Sequence, residues 1–157
     1  SIFDGLNVRD NLLAILEFHE PNKKKRMERL EVLMDKLGLT EHADKGSTKL
    51  SGGLRRRLEI TRALISNPKI ILLDEPFAGV DPIVVEDIQG IVELLRKEGL
   101  GILITDHNVA ATLRITNRAY IIQHGRILIS GTAEDIANSD VARSEYLGQN
   151  FNLNSIA

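Results

Sequence analysis

Two adjacent carboxylates, Asp74 and Glu75, end the apolar run Ile70-Ile71-Leu72-Leu73. The stretch Lys69 to Leu73 reads as a strand buried on both faces of a parallel sheet. Open α/β sheets place their ligands at the carboxyl ends of such strands. Burying an unpaired charge is expensive, so a cation or a proton-acceptor role is the natural reason to keep two carboxylates there. In a phosphoryl-transfer site Asp74 would hold Mg²⁺, directly or through water, and Glu75 would polarise the attacking water. The plain alternative is that Glu75 caps the next turn and Asp74 is a surface charge. Upstream, Leu50-Ser51-Gly52-Gly53 stands at the start of a helix. Its backbone N–H groups and hydroxyl face the positive end of the helix dipole, which together make a phosphate site; read alone, it is a flexible cap. Downstream, Thr105-Asp106-His107 follows a second apolar run. A lone histidine is more simply a capping residue, but one just past a buried strand can serve a site at that sheet edge.

These residues need elements to hold them. Val8, Leu12, Ile15 and Leu16 recur at helical spacing up to about Phe18. A second helix is expected from Lys23 to Leu37, ended by Gly38, with the run Lys23 to Arg26 as a solvated face. A third runs from Leu54 to Ser66 and stops before Asn67-Pro68. After the first strand, Asp81-Pro82 supplies an N-cap and first-turn proline for a helix to about Lys97. Gly101 to Thr105 is a second buried strand, followed by a helix from near Asp106 to about Ile115. Ala119 to Gln123 and Arg126 to Ser130 flank His124-Gly125 as a hairpin, Thr132 to Asp135 carries a capping signal, and Asp140 to Leu147 is helical.

With 157 residues, 43% of them hydrophobic, the chain can close one ordinary core, so a disordered or fibrous class is excluded. Twenty basic residues against 22 acidic ones leave a net charge of -2, which gives no global attraction to nucleic acid or anionic lipid. Without cysteine there is no disulfide, thiolate metal site or cysteine nucleophile, as suits a cytoplasmic protein. No apolar run reaches the roughly 18 residues of a membrane span.

The order of the motifs resembles the ATPase subunits of ABC transporters. Leu50 to Gly53 is similar to the family signature, Ile70 to Glu75 to the Walker B strand, Ala78-Gly79-Val80-Asp81 to the D-loop, and His107 to the switch histidine. The resemblance implies an α/β, P-loop NTPase-type fold: a helical subdomain over residues 1–66, the second half of the parallel-sheet catalytic core over 67–131, and a helical tail over 132–157. It also implies that Asp74 helps hold Mg²⁺, that Glu75 is the general base and that His107 contacts the γ-phosphate of ATP. Ser51, Gly52 and Gly53 would bind the γ-phosphate of ATP held by the partner subunit, and Asp81 would lie at the D-loop interface. The implied assembly is a homodimer of ATPases under two transmembrane permease subunits, on the cytoplasmic face of the inner membrane, with neither nucleic acid nor membrane insertion. Phe3 would line the groove for the permease's coupling helix, or else simply pack on the first helix.

Leu54 departs from the family's usual Gln or Glu; the glycine N–H donors survive this change, so phosphate binding is expected to tolerate it. The sequence contains no G-x-x-x-x-G-K-[ST] and no Gly-Lys dipeptide. The chain is therefore expected to be a fragment, beginning in mid-loop at Ser1, unable to bind ATP alone, with a gap in its core between the strands at Ile102–Thr105 and Ala119–Gln123. Within the family, Asp74 to Pro82, Thr105 to Val109 and the ending Tyr146-Leu147-Gly148 with Phe151 and Leu153 look like the lipopolysaccharide-export branch. Branched-chain amino-acid import ATPases share the signature helix and the Tyr-Leu-Gly ending. Two other classes stay open: a soluble ABC-type ATPase without a membrane partner, against which the lack of a long insertion between Val8 and Ser66 weighs, and a regulatory module. In either case Arg55, Arg56 and Arg57 read as interface or solvent charges.

Overall fold

Apolar periodicity organises the first part of the chain into three helices that share one core. The computed structural model describes residues 2–151 and 153, so the expected start at Ser1 and most of the last stretch of the tail lie outside the described residues. Helix α1 (Val8–His19) is capped by the Asn7 side chain, which accepts from the Asp10 N–H, and buries Val8, Leu12 and Leu16. Helix α2 (Lys23–Lys36) is capped by Asn22 and buries Leu30, Leu33 and Met34. At its end Gly38 takes φ +64, the left-handed conformation that lets the chain turn out of the helix. Helix α3 (Gly52–Leu64) starts two residues before the sequence-based expectation, because the Ser51 side chain caps it by accepting from the Leu54 N–H and the two glycines form its first turn.

The segment before α1 is fixed by buried polar side chains. Asn11 is fully buried. Its Oδ1 accepts from the Phe3 N–H at 2.7 Å, and its amide donates to the carbonyls of Phe3 and Asn7 at 3.0 Å. The single Ser47 Oγ proton is shared between the Phe3 and Asp4 carbonyls, each 2.9 Å from Oγ. A buried amide that satisfies several backbone groups at once specifies the loop's shape as well as its place.

Strand β1 (Ile70–Asp74) pairs in parallel with β2 (Gly101–Thr105), joined by α4 (Pro82–Lys97), in the expected βαβ order. Helix α5 (Val109–Ile115) follows, starting later than expected because Asn108 forms its cap. Strands β3 (Ala119–Gln123) and β4 (Arg126–Gly131) form a separate antiparallel hairpin, turning through His124 and Gly125, both at positive φ. Helix α6 (Ala133–Ala137) begins with a Thr132–Asp135 capping box, and α7 (Asp140–Ala142) continues as a π-helical turn over Arg143–Leu147.

One expectation needs correction: β1 and β2 are covered on one face only. Ile71 and Leu73 join the main core with Ile88, Ile91, Val92 and Leu95 of α4, whereas Ile70, Leu72 and Leu103 are 61%, 72% and 55% exposed. The reason is topological: α4 packs on one side of the ladder, and the two small sheets do not pair with each other. The expected gap between β2 and β3 therefore coincides with a bare apolar face. Among the described residues no helix is long and apolar enough to cross a membrane.

Candidate functional site

The parallel register sets Asp74 opposite Thr105, so both strands end at the same edge and the segments 75–78 and 106–108 leave side by side. Thr105 Oγ1 donates to Asp74 Oδ1 at 2.5 Å, and the Glu75 N–H donates to the Thr105 carbonyl at 2.7 Å. Beyond the ladder the chain turns abruptly: Glu75 has φ +48, a region that costs a non-glycine residue roughly 1–2 kcal/mol. Such strain persists only where the surroundings over-determine it. Here Asp106 does much of that, with a side chain wholly removed from solvent. Its Oδ2 accepts from the Phe77 N–H at 2.8 Å and its Oδ1 from the Asn108 N–H at 2.7 Å, which ties the turn after β1 to the turn after β2.

His107 Nδ1 lies 2.6 Å from Glu75 Oε2. An ionised carboxylate only accepts, so Nδ1 carries the proton in this bond and Nε2 points away from Glu75. Glu75, Asp106 and His107 bring ligand-type atoms within 4.8 Å of one another. That trio is a hydrogen-bonded network rather than an ion cage, because both Asp106 oxygens are taken by N–H groups and His107 is bonded to Glu75. The exposed Asp74 carboxylate, with the Thr105 hydroxyl beside it and Glu75 next in sequence, is the hard oxygen-donor set that suits Mg²⁺ held by one or two carboxylates.

Ser51, Gly52 and Gly53 stand at the N-terminus of α3, where the first N–H groups have no intrahelical carbonyl to bond. Gly53 is needed twice over: a Cβ there would meet Val84 Cγ1 at 3.1 Å, so the glycine also lets α3 press against α4. Asp81 occupies the N-cap position of α4 without a side-chain capping bond, and its neighbour Val80 faces Gly52. Phe3 is half exposed, and the Arg62 guanidinium lies 4.5 Å from its ring centroid. Burial pushes the Arg62 pKa below its usual value, and the nearby Glu59 carboxylate partly opposes this.

The structure thus joins Asp74 to Thr105 and Glu75 to His107, and seats the Ser51–Gly53 turn against Val80 and Val84, on either side of Asp81 in sequence. The arginines of α3 are not plain surface charges. Arg55 pairs with Asp4 and Glu59. Arg57 donates to the Leu37 carbonyl at 3.2 Å and pairs with Asp87 of α4 at 2.9 Å. Arg56 donates to the Glu75 carbonyl at 3.0 Å. In the sequence, Arg55 and Arg56 stand at i,i+4 and i,i+3 spacing from Glu59, which pairs with both, but nothing identified Arg56 as reaching Glu75 or Asp106 as buried.

The family model of the ABC transporter matches residues 1–78. A probable ABC transporter ATP-binding protein of Azorhizobium caulinodans is 52% identical over 153 residues, covering 98% of this chain and 54% of the relative. The lipopolysaccharide export system ATP-binding protein LptB of Haemophilus influenzae is 49% identical over 154 residues, covering 98% of this chain and 64% of the relative. The chain therefore spans between about half and two thirds of the length of these curated relatives. Among solved structures, an ATP-binding cassette of an ABC transporter in its ADP conformation aligns with a TM-score of 0.77 at 28% identity, over 93% of this chain and 64% of the other. The fold is also that of cbiO1 from Clostridium perfringens, part of the cbiONQ transporter complex, at a TM-score of 0.80 and 24% identity, over 87% of this chain and 54% of that one.

Substituting Asp106→Ala removes the acceptor of two backbone N–H groups and is expected to lower the unfolding free energy by about 3 kcal/mol in urea titrations. A change below about 1 kcal/mol would mean that other contacts hold the turn.

Proposed function

The chain belongs to the ABC transporter ATP-binding protein family, and from that membership we propose that it forms part of an ATPase that powers lipopolysaccharide export from the inner membrane. The observation that carries the ATPase reading is the Glu75–His107 pair, set beside Asp74 where two parallel strands end. Asp74 with the Thr105 hydroxyl would hold Mg²⁺, which when bound neutralises charge on the nucleotide phosphates. Glu75 takes the proton of the attacking water as general base. His107 keeps the Glu75 carboxylate aimed through Nδ1 and leaves Nε2 to face the γ-phosphate. Ser51, Gly52 and Gly53 present the N-terminus of α3 to the γ-phosphate of ATP held by a second ATPase subunit, with Asp81 at the same interface.

The sequence has no Gly-Lys dipeptide, so these residues supply no loop to cradle the β- and γ-phosphates. We assign that task to a segment outside them, and regard this chain by itself as inactive. The assembly we favour is a homodimer under two transmembrane permease subunits, peripheral on the cytoplasmic face of the inner membrane. Phe3, held by the Asn11 and Ser47 hydrogen bonds and flanked by Arg62, would meet the permease's coupling helix. The export assignment draws support from the 49% identity to LptB over nearly the whole chain.

In the assembled ATPase, Glu75→Gln is expected to cut turnover by roughly 100-fold or more while ATP still binds, as loss of a general base does. Near-parental turnover in that variant would remove Glu75 from the reaction. A fluorescent ATP analogue titrated into this chain alone is expected to give no saturable signal, and ordinary affinity would contradict the assignment of the phosphate loop elsewhere. The export reading is tested by complementation of an LptB-depleted Escherichia coli strain with the ATPase that contains these residues. Restored growth is expected, and failure by a well-expressed, active ATPase would turn the assignment towards another substrate. In the same cells Phe3→Ala should reduce recovery of the ATPase with its membrane subunits; unchanged recovery would leave Phe3 as a packing residue.

A further inference from the structure

Arg56 takes no part in the reaction outlined above, yet its guanidinium ends on the main chain of the base. It lies early on α3, shortly after the turn that carries Ser51 to Gly53. Nη2 donates to the Glu75 carbonyl and Nη1 to Glu59 Oε2, both at 3.0 Å. The side chain is 26% exposed, so these bonds are partly shielded from water. The planar fork suits this double task, because one face of the guanidinium is anchored by a carboxylate while the other donates to a fixed carbonyl.

The target of that bond gives it meaning. Glu75 sits at positive φ, so its side-chain direction depends on the two peptide planes flanking its Cα. The preceding plane is pinned through the Glu75 N–H to the Thr105 carbonyl at 2.7 Å. The following plane is pinned through the Glu75 carbonyl, which accepts from Ala78 N–H at 3.2 Å and from Arg56 at 3.0 Å. Of these partners, only Arg56 reaches in from another helix. With both planes held, the Cα–Cβ bond of Glu75 has one direction, the one that meets His107.

We propose that Arg56 is the positioning residue for Glu75: it aims the carboxylate by fixing the carbonyl behind it, and it fastens the base to the helix that opens with the signature turn. This rests on Glu75 being the general base. Misplacing a base by a fraction of an ångström to an ångström lowers the chemical step without weakening nucleotide binding.

The test compares Arg56→Met, which keeps the stem and loses every donor, with Arg56→Lys, which keeps one donor, in the assembled ATPase. Arg56→Met is expected to lower kcat roughly 10- to 100-fold with KM for ATP within about twofold of the parent. Arg56→Lys is expected to recover most of that loss. A kcat for Arg56→Met within about twofold of the parent overturns the proposal, as does a loss expressed mainly in KM or one that lysine leaves unrelieved. If Arg56→Met fails to fold, Arg56→Ala takes its place: lowered kcat at unchanged KM supports positioning, and parental kinetics overturn it. Glu75→Gln, measured alongside, separates the two claims. An active Glu75→Gln enzyme sinks the reading of the base, whereas an inactive one beside a fully active Arg56→Met enzyme sinks the positioning role only.

Discussion

The short parallel ladder between Ile70–Asp74 and Gly101–Thr105 is the constraint on which the site depends. Parallel strands end together only when their register is fixed, and here the register delivers a carboxylate and a hydroxyl to the same edge as direct neighbours. The chain past that edge turns away from the ladder through the left-handed backbone of Glu75. Asp106 then converts divergence into a defined shape by binding one N–H from each departing segment. A slip of one strand by one residue would exchange its two faces and pull apart the Asp74–Thr105 pair and the contacts built beyond it.

A second set of contacts joins this edge to the helices that precede it. Arg57 reaches from α3 to the end of α2 and to Asp87 on α4, and Gly53 lets the start of α3 lie against Val84. The Ser51–Gly53 turn is therefore seated by packing on Val80 and on Val84 of α4, and not by loop chemistry alone. Two features that look separate along the chain, the glycine pair and Val80-Asp81-Pro82, share one packing surface.

Helices α1, α2 and α4 could be read from apolar spacing and caps, because each shows a one-sided apolar stripe and a conventional cap position. Asp74, Glu75 and His107 could be read as neighbours because strand ends in α/β order meet at one edge. Burial of the strands could not be read so well: an apolar run records what a strand can tolerate, and among the described residues Ile70, Leu72 and Leu103 stay more than half exposed. The roles of Asp106 and Arg56 were also hidden. Arg56 and one oxygen of Asp106 act on backbone groups 19 and 29 residues away, and a carboxylate or guanidinium that bonds a main-chain N–H or carbonyl leaves no complementary side chain to pair with it in the sequence.

The one-sided covering of β1 and β2 has a consequence for how the chain behaves in time. The core shared by α1, α2 and α3 closes through Leu12, Leu16, Leu30 and Leu58, all fully buried, and these residues leave the ribosome before either strand does. The ladder that follows presents isoleucine and leucine outward on an uncovered face, and among the described residues its two strands pair only with each other, the kind of surface that recruits chaperones or a neighbouring strand. Ile70, Leu72 and Leu103 thus add an outward apolar surface that the helical core, however stable, does not cover.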